Sequence, residues 1–341
     1  MDYAAFQAIR ILISAVLGFI VALGITPLVT RFITRLQFKK QIRSAESAPV
    51  FAQLHKKKEG TPTGGGIIIW GTALILAAVF AFLPFFNFID RAQTYLPLAS
   101  FFIAAAVGLV DDVLGIMRRG PKGGGIAMSQ KLLVYFAIAL VGALWFYYRL
   151  GWDILNIPFW QNINMGIWYI PFFMFIIIAS AFSVNETDGL DGLAGGVMLF
   201  AFSALTVIAF ALGRYHLATF NAVVVGALLA FLWFNIYPAR FFMGDTGSMA
   251  LGITLGVTAM LTNTALLLPF LAIIPVVESL SVIVQLTSKK IRGKKIFHST
   301  PIHHHFEALG WPESQITMRF WIISAVSTIG GLVIFFLNRF L

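Results

Sequence analysis

Apolar residues gather along this chain in long runs, each close to the roughly 20 residues that a helix needs to cross a hydrocarbon layer about 30 Å thick. Such runs lie near 9–30, 66–86, 95–111, 132–149, 166–184, 192–213, 217–237 and 318–338. The stretch 246–288 is too long for one crossing at about 1.5 Å per residue, and Thr262, Asn263 and Thr264 interrupt it, so it divides into two. The pattern predicts an all-α polytopic membrane protein with ten transmembrane helices, folded as a single domain over 1–341.

Composition sharpens this. Hydrophobic residues make up 59% of the 341 positions and charged residues 11%, with a mean hydropathy of +0.88. A soluble domain carries about 25% charge, so a soluble globular protein is excluded. The lack of cysteine rules out a disulfide framework, thiolate zinc, iron–sulfur clusters and cysteine nucleophiles. Met1 to Arg10 holds Asp2, one Arg and no small-residue cleavage site, so the first run reads as a span rather than a cleaved leader. The net charge of +10 is read as a topology signal, with no nucleic-acid partner expected. Loops after odd-numbered spans hold most of the basic residues, from Arg31 to Arg319, whereas the other side has Arg10, Arg91, Arg149, Arg214 and Arg339. The positive-inside rule then puts the odd loops in the cytoplasm and both termini on the extracytoplasmic side.

Charged groups at membrane depth are costly, so acidic residues at the edges of apolar runs need a reason. Asp111 and Asp112 end the third span; Asn185, Asp188 and Asp191 join the fifth and sixth; Asp245 follows the seventh; His303, His304 and His305 follow the ninth. Every cluster opens on the cytoplasmic face. A secondary transporter would place coupling residues near the midplane, whereas an enzyme joining a soluble substrate to a lipid gathers them at one interface.

Adjacent helical residues point about 100° apart, so Asp111 and Asp112 cannot share one ligand face unless the helix ends there. One would then hold a metal or proton while the other orients it; the alternative is a solvated helix end with Arg118 and Arg119 as counter-charges. Asp188 and Asp191, three apart at a predicted helix start among glycines, suit ribose hydroxyls, base N–H groups or Mg²⁺; the alternative is an N-cap of the sixth span by Asn185 or Asp188, with Asp191 in the first turn. The turn Gly244-Asp-Thr-Gly-Ser248 presents N–H groups, hydroxyls and a carboxylate at a helix start, fit for a Mg²⁺–diphosphate or an ordinary N-cap. Asn235 adds a hydrogen-bonding group inside an apolar run. Three consecutive histidines cannot form an i, i+4 zinc pair and suit phosphate contacts better. Lys58 precedes Thr61-Pro-Thr63 and is a phosphate candidate or a plain topology charge; Lys131 begins the fourth span, where it meets an anionic headgroup or merely snorkels. Glu278 is a buried acid in the ninth span without an evident partner.

TPTGGG at 61–66, VDD at 110–112, NETDGLDGLA at 185–194, FMGDTGS at 242–248 and PIHHHFE at 301–307 resemble the phospho-N-acetylmuramoyl-pentapeptide transferase family, a branch of the polyprenyl-phosphate hexosamine-1-phosphate transferases. The likeness runs in order through essentially the whole chain. It implies Mg²⁺ dependence, a cytoplasmic active-site cleft in a bacterial cytoplasmic membrane, and a homodimer. It also implies transfer of phospho-MurNAc-pentapeptide from UDP-MurNAc-pentapeptide to undecaprenyl phosphate, giving lipid I and UMP. By resemblance Asp111, Asp112, Asp245 and His303 are the catalytic set, with Asp245 as metal ligand. Lys58, Thr63, Lys122, Lys131, Asn185, Asp188, Asp191, Asn235, Phe242, His304 and His305 would bind substrate, with Phe242 stacking on uracil; Gln285 matches a further family position. Phe182, Glu186 and Gly64 depart from the family pattern. Either the lipid phosphate attacks directly, with Asp111 as base, or a carboxylate forms a phospho-enzyme first. The rival within the superfamily is a GlcNAc-1-phosphate transferase using UDP-GlcNAc, and PIHHHFE argues for the pentapeptide branch.

Overall fold

A computed structural model describes residues 2–35, 58, 60–117, 119–120 and 124–340. The helices are α1 (Tyr3–Arg35), α2 (Gly66–Ala81), α3 (Tyr95–Ile116), α4 (Met128–Leu144), α5 (Tyr169–Thr187), α6 (Leu193–Ala211), α7 (Tyr215–Asn235), α8 (Asp245–Leu261), α9 (Leu268–Leu271), α10 (Ile273–Arg292), α11 (Ile302–Ala308) and α12 (Glu313–Phe340). Each predicted span falls on one of these except the second half of 246–288, which is divided between α9 and α10. By length and composition, seven helices among the described residues could cross a membrane, or eight when a bent pair counts as one.

The differences from the predicted spans have local causes. The second span stops at Ala81 instead of 86 because Pro84 follows closely, and proline disfavours helix in the residue before it. After α4 the chain adds a π-helical turn, Trp145–Arg149, and then a two-stranded antiparallel ribbon that the hydropathy pattern does not reveal, pairing Ile154–Leu155 with Ile163–Asn164. The break expected at 262–264 is present, with α8 ending at Leu261 and Asn263 at φ +52°. A second, unanticipated break follows: Ala265–Leu271 and Ile273–Arg292 meet at 93°.

At the centre is α8, whose residues from Thr246 to Leu261 are all buried; an all-round buried helix needs an apolar sequence on every face. It packs on α3 and α5, while α1 packs on α7 and α7 on α6. Small residues let these backbones approach. A Cβ on Gly108 of α3 would stand 2.3 Å from the carbonyl oxygen of Asp245, and one on Gly66 of α2 would stand 2.4 Å from Gly247. Those two glycines set the start of α8 against α2 and α3.

The chain ends lie at the same end of the bundle. Tyr3 touches Tyr215 at the start of α7, and Arg339 donates to the carbonyl of Ala211 at the end of α6. The polar clusters occupy the opposite end, where α3, α5 and α7 finish and α4, α6, α8 and α12 begin.

Candidate active site

Asp111 and Asp112 do not end their helix, because α3 continues to Ile116. The two carboxylates therefore diverge. Asp112 accepts the backbone N–H groups of Asp245 and Thr246, both at 3.1 Å, and so caps the first turn of α8 from a neighbouring helix. Asp111 accepts the N–H of Ile126 and pairs with Lys131 Nζ at 2.9 Å. The same ammonium contacts Asp245, whose other oxygen accepts Asn185 Nδ2 at 3.1 Å. Asn185 also donates to Ser248 Oγ at 3.0 Å. Asp111 is thus buried and held by Lys131, not a solvated helix end. Arg118 and Lys122 lie outside the described residues.

The segment 61–66 is sewn to 242–243 by backbone bonds: Phe242 N–H to the Pro62 carbonyl, and Gly65 and Gly66 N–H to the carbonyls of Phe242 and Met243, all at 2.8 Å. This brings the buried Thr63 beside Gly244, where a Cβ would stand 2.7 Å from Thr63 Oγ1. Gly244 adopts φ +75°, a left-handed conformation that favours glycine, and its N–H donates to Asp188 Oδ2 at 3.1 Å.

Asp188 and Asp191 lie in the turn 188–192 between α5 and α6, not on the face of a helix start, because Gly192 takes φ +74° and delays α6 to Leu193. Neither α6 nor α8 has a side-chain cap from its own N-cap residue, so the capping alternative for Asn185 and Asp188 does not hold. Asp191 Oδ1 pairs with Lys58 Nζ at 2.6 Å and its Oδ2 accepts the N–H of Ala239 at 3.0 Å. Lys58 also contacts Glu313 and lies 5.6 Å from the centre of the Phe242 ring. Asn235 spends its amide on backbone, accepting Gly192 N–H at 3.0 Å and donating to the Phe241 carbonyl at 2.8 Å. It ties the 188–192 turn to the 241–245 segment.

The three histidines open α11 and are not equivalent. His303 Nδ1 stands 3.0 Å from Glu278 Oε2, an ion-pair contact without hydrogen-bond alignment, which supplies the partner that Glu278 lacked in the sequence. Burial opposes the imidazolium of His303, but Glu278 outweighs it and the pKa is raised. His304 Nδ1 pairs with Glu307 at 2.6 Å. His305 stacks on His298 at 5.3 Å, and burial followed by the charge of His298 lowers its pKa. A Cβ on Gly189 would meet His303 Nε2 at 2.2 Å, so only glycine lets the 188–192 turn reach the first histidine. Gln285 braces the loop before α11, accepting the N–H groups of Ile296 and Phe297 at 2.9 and 3.0 Å.

One end of the bundle therefore joins Asp111, Asp112, Lys131, Asn185, Asp188 and Asp245, with Lys58, Asp191 and Phe242 on one flank and His303 and His304 on the other. Phe182 and Glu186 are half-buried on α5. The sequence alone does not mark Glu313 or Glu307 as part of the site. Glu313, after Pro312, has the look of an ordinary first-turn acid, and Glu307 stands inside the PIHHHFE run itself. Among the described residues no three His, Asp or Glu side chains form a ready metal cage. Asp111 and Asp245 do converge on a single cation, the Lys131 ammonium.

Residues 94–263 match the sequence profile of glycosyl transferase family 4. A phospho-N-acetylmuramoyl-pentapeptide-transferase of Clostridium perfringens (strain 13 / Type A) is 41% identical over 320 residues, 93% of this chain and 96% of that protein. Proteins of the same name from Chloroflexus aurantiacus and Anoxybacillus flavithermus are 40% and 36% identical, covering 95% of this chain in each case and 89% and 97% of their own lengths.

Proposed function

The chain belongs to the phospho-N-acetylmuramoyl-pentapeptide-transferase family, and from that membership we propose that it transfers phospho-MurNAc-pentapeptide from UDP-MurNAc-pentapeptide to undecaprenyl phosphate, forming lipid I and UMP. It works as a ten-span protein of a bacterial cytoplasmic membrane, with termini outside, the cleft facing the cytoplasm, and two copies forming a homodimer. The observation that carries this reading is the convergence of Asp111, Asp245 and Lys131 within one bundle end that also holds His303.

The residues fit a divalent cation. Two carboxylates already share one ammonium, and Mg²⁺ takes one or two carboxylates and fills its remaining positions with water and substrate phosphate. Asp245, with Asp111 beside it, would hold Mg²⁺, which when bound supplies charge neutralisation at the diphosphate. Asp112 fixes the start of α8, and so the position of Asp245, through the N–H groups of residues 245 and 246. Asn185 orients the Asp245 carboxylate from the other side. Lys131 passes from the carboxylates to phosphate oxygens, and His304, anchored through Nδ1, offers Nε2 to the same group. His303, whose Nε2 is enclosed against Gly189, contributes the charge of the imidazolium that Glu278 holds. Lys58 and Phe242 form the uridine end, joined there by Thr63, Asp188 and Asp191. Asn235 holds the two loops of that end together.

The lipid phosphate attacks the sugar-linked phosphorus directly. A phosphate with a second pKa near 6 has little proton to lose at neutral pH, so Asp111 aligns the acceptor more than it deprotonates it. Purified protein in detergent, given undecaprenyl phosphate and Mg²⁺, is expected to release UMP from UDP-MurNAc-pentapeptide and not from UDP-GlcNAc. Release from UDP-GlcNAc alone would move the chain to the sibling branch. A labelled sugar-phosphate trapped on the protein without lipid would replace direct attack by the two-step route.

A further inference from the structure

Tyr135 has no part in the reaction as described. Its side chain is 1% exposed, and its hydroxyl has no hydrogen-bond partner among the described residues. Native proteins pair nearly all such groups, because an unpaired buried hydroxyl forfeits the bond it makes to water when unfolded. Tyr135 follows Lys131 by four residues on α4, so the two side chains lie on one helix face, one turn apart. Lys131 reaches Asp111 and Asp245 from that face, which sets Tyr135 one helical turn behind the two carboxylates.

This unpaired donor stands behind the cluster whose present donor is Lys131. The Lys131 ammonium satisfies Asp111 and Asp245 together. An anionic diphosphate entering the cleft competes for that ammonium, and the carboxylates then lose their donor. The closed surroundings of the Tyr135 hydroxyl argue against direct contact with a substrate arriving from water, and leave the carboxylates as its acceptors.

We propose that Tyr135 is a positioning residue whose hydroxyl donates to the Asp245 carboxylate once Lys131 turns to the substrate phosphate, fixing that carboxylate as a metal ligand. Donors behind metal-binding carboxylates orient them, and their loss costs about 10- to 100-fold in metal affinity or activity. The inference rests on the transferase reading above.

The test is Tyr135→Phe in the full-length protein, with Mn²⁺ as the paramagnetic probe titrated in the presence and absence of UDP-MurNAc-pentapeptide. The expected result is Mn²⁺ binding about tenfold weaker or more with nucleotide present, a matching fall in kcat, and an unchanged KM for undecaprenyl phosphate. The Tm without ligands is expected to hold or rise, because the hydroxyl lacks a partner there. Unchanged Mn²⁺ binding and kcat would overturn the proposal, as would a lowered ligand-free Tm with Mn²⁺ binding intact. A rise confined to the KM for undecaprenyl phosphate would make the hydroxyl a lipid contact and also overturn it. Wild-type protein that binds no Mn²⁺ and turns over neither nucleotide would instead remove the transferase reading.

Discussion

Two lysines at the same end of the bundle are built alike: Lys131 bridges Asp111 and Asp245, and Lys58 bridges Asp191 and Glu313. In each case one ammonium stands between two carboxylates from different parts of the chain, leaving a formal excess of one negative charge. The neighbours differ. Beside Lys131 lie Asp112 and the amino end of α8, whereas beside Lys58 lies the Phe242 ring. The same charge arithmetic therefore serves two ends: a hard-oxygen site that a divalent cation and a diphosphate can enter, and an aromatic site suited to a flat base. On α11 the rule is different, one carboxylate per imidazole, with His303 on Glu278 and His304 on Glu307.

Removing a carboxylate at the Lys131 end gives the largest effect. Asp245→Asn keeps the shape and a partner for Asn185 but loses the charge that would hold the metal. Metal stabilisation of developing charge is worth several kcal/mol, so kcat is expected to fall about a thousandfold or more. Helical content and Tm should stay near wild type. Turnover at the wild-type rate under ordinary Mg²⁺ would erase the distinction drawn between the two lysines.

Glu278→Gln comes next and tests the one-to-one rule on α11. In the native protein burial lowers the His303 pKa and Glu278 more than restores it, so the pair is charged and stabilising below the ordinary histidine value and is lost as pH rises through the raised one. Without the Glu278 charge, burial acts unopposed and His303 titrates lower. The alkaline limb of the kcat/KM profile should then move toward acid, with a fall of about tenfold at neutral pH that shrinks near pH 6. A profile that drops in height without moving would show that Glu278 only supports the fold.

Much of this end of the molecule is legible in the sequence, and the rest is hidden for definable reasons. The acidic and histidine motifs could be found because charge at the edge of an apolar run has few structural explanations. The bridges could not, since Lys58 meets residues 191 and 313, and Lys131 meets 111 and 245, through helix packing rather than local spacing. The pattern puts Asp188 and Asp191 at a helix start because periodicity does not reveal that Gly192 is left-handed. The 93° bend is marked by Pro269 and Pro275, one on each side, but their apolar neighbours merge into a single run by hydropathy. Glu278 looked partnerless for the same reason as the lysines: its histidine is 25 residues away and on another helix.

The smallest effect belongs to the Lys58 end. Glu313 holds Lys58 and also accepts the backbone N–H of Asp191 at 2.6 Å, so it fixes both the ammonium and the turn that carries Asp191. Glu313→Gln retains an acceptor for that N–H and leaves Lys58 its contact with Asp191, so the loss is about 1 kcal/mol. If Lys58 and Phe242 form the uridine end, this appears as a rise of about fivefold in the KM for the nucleotide, with kcat and Mn²⁺ binding unchanged. A fall in kcat with KM held would mean that the Lys58 bridge, like the Lys131 bridge, acts on the reacting phosphates. The shared charge arithmetic would then signify one extended phosphate site instead of two ends with separate tasks.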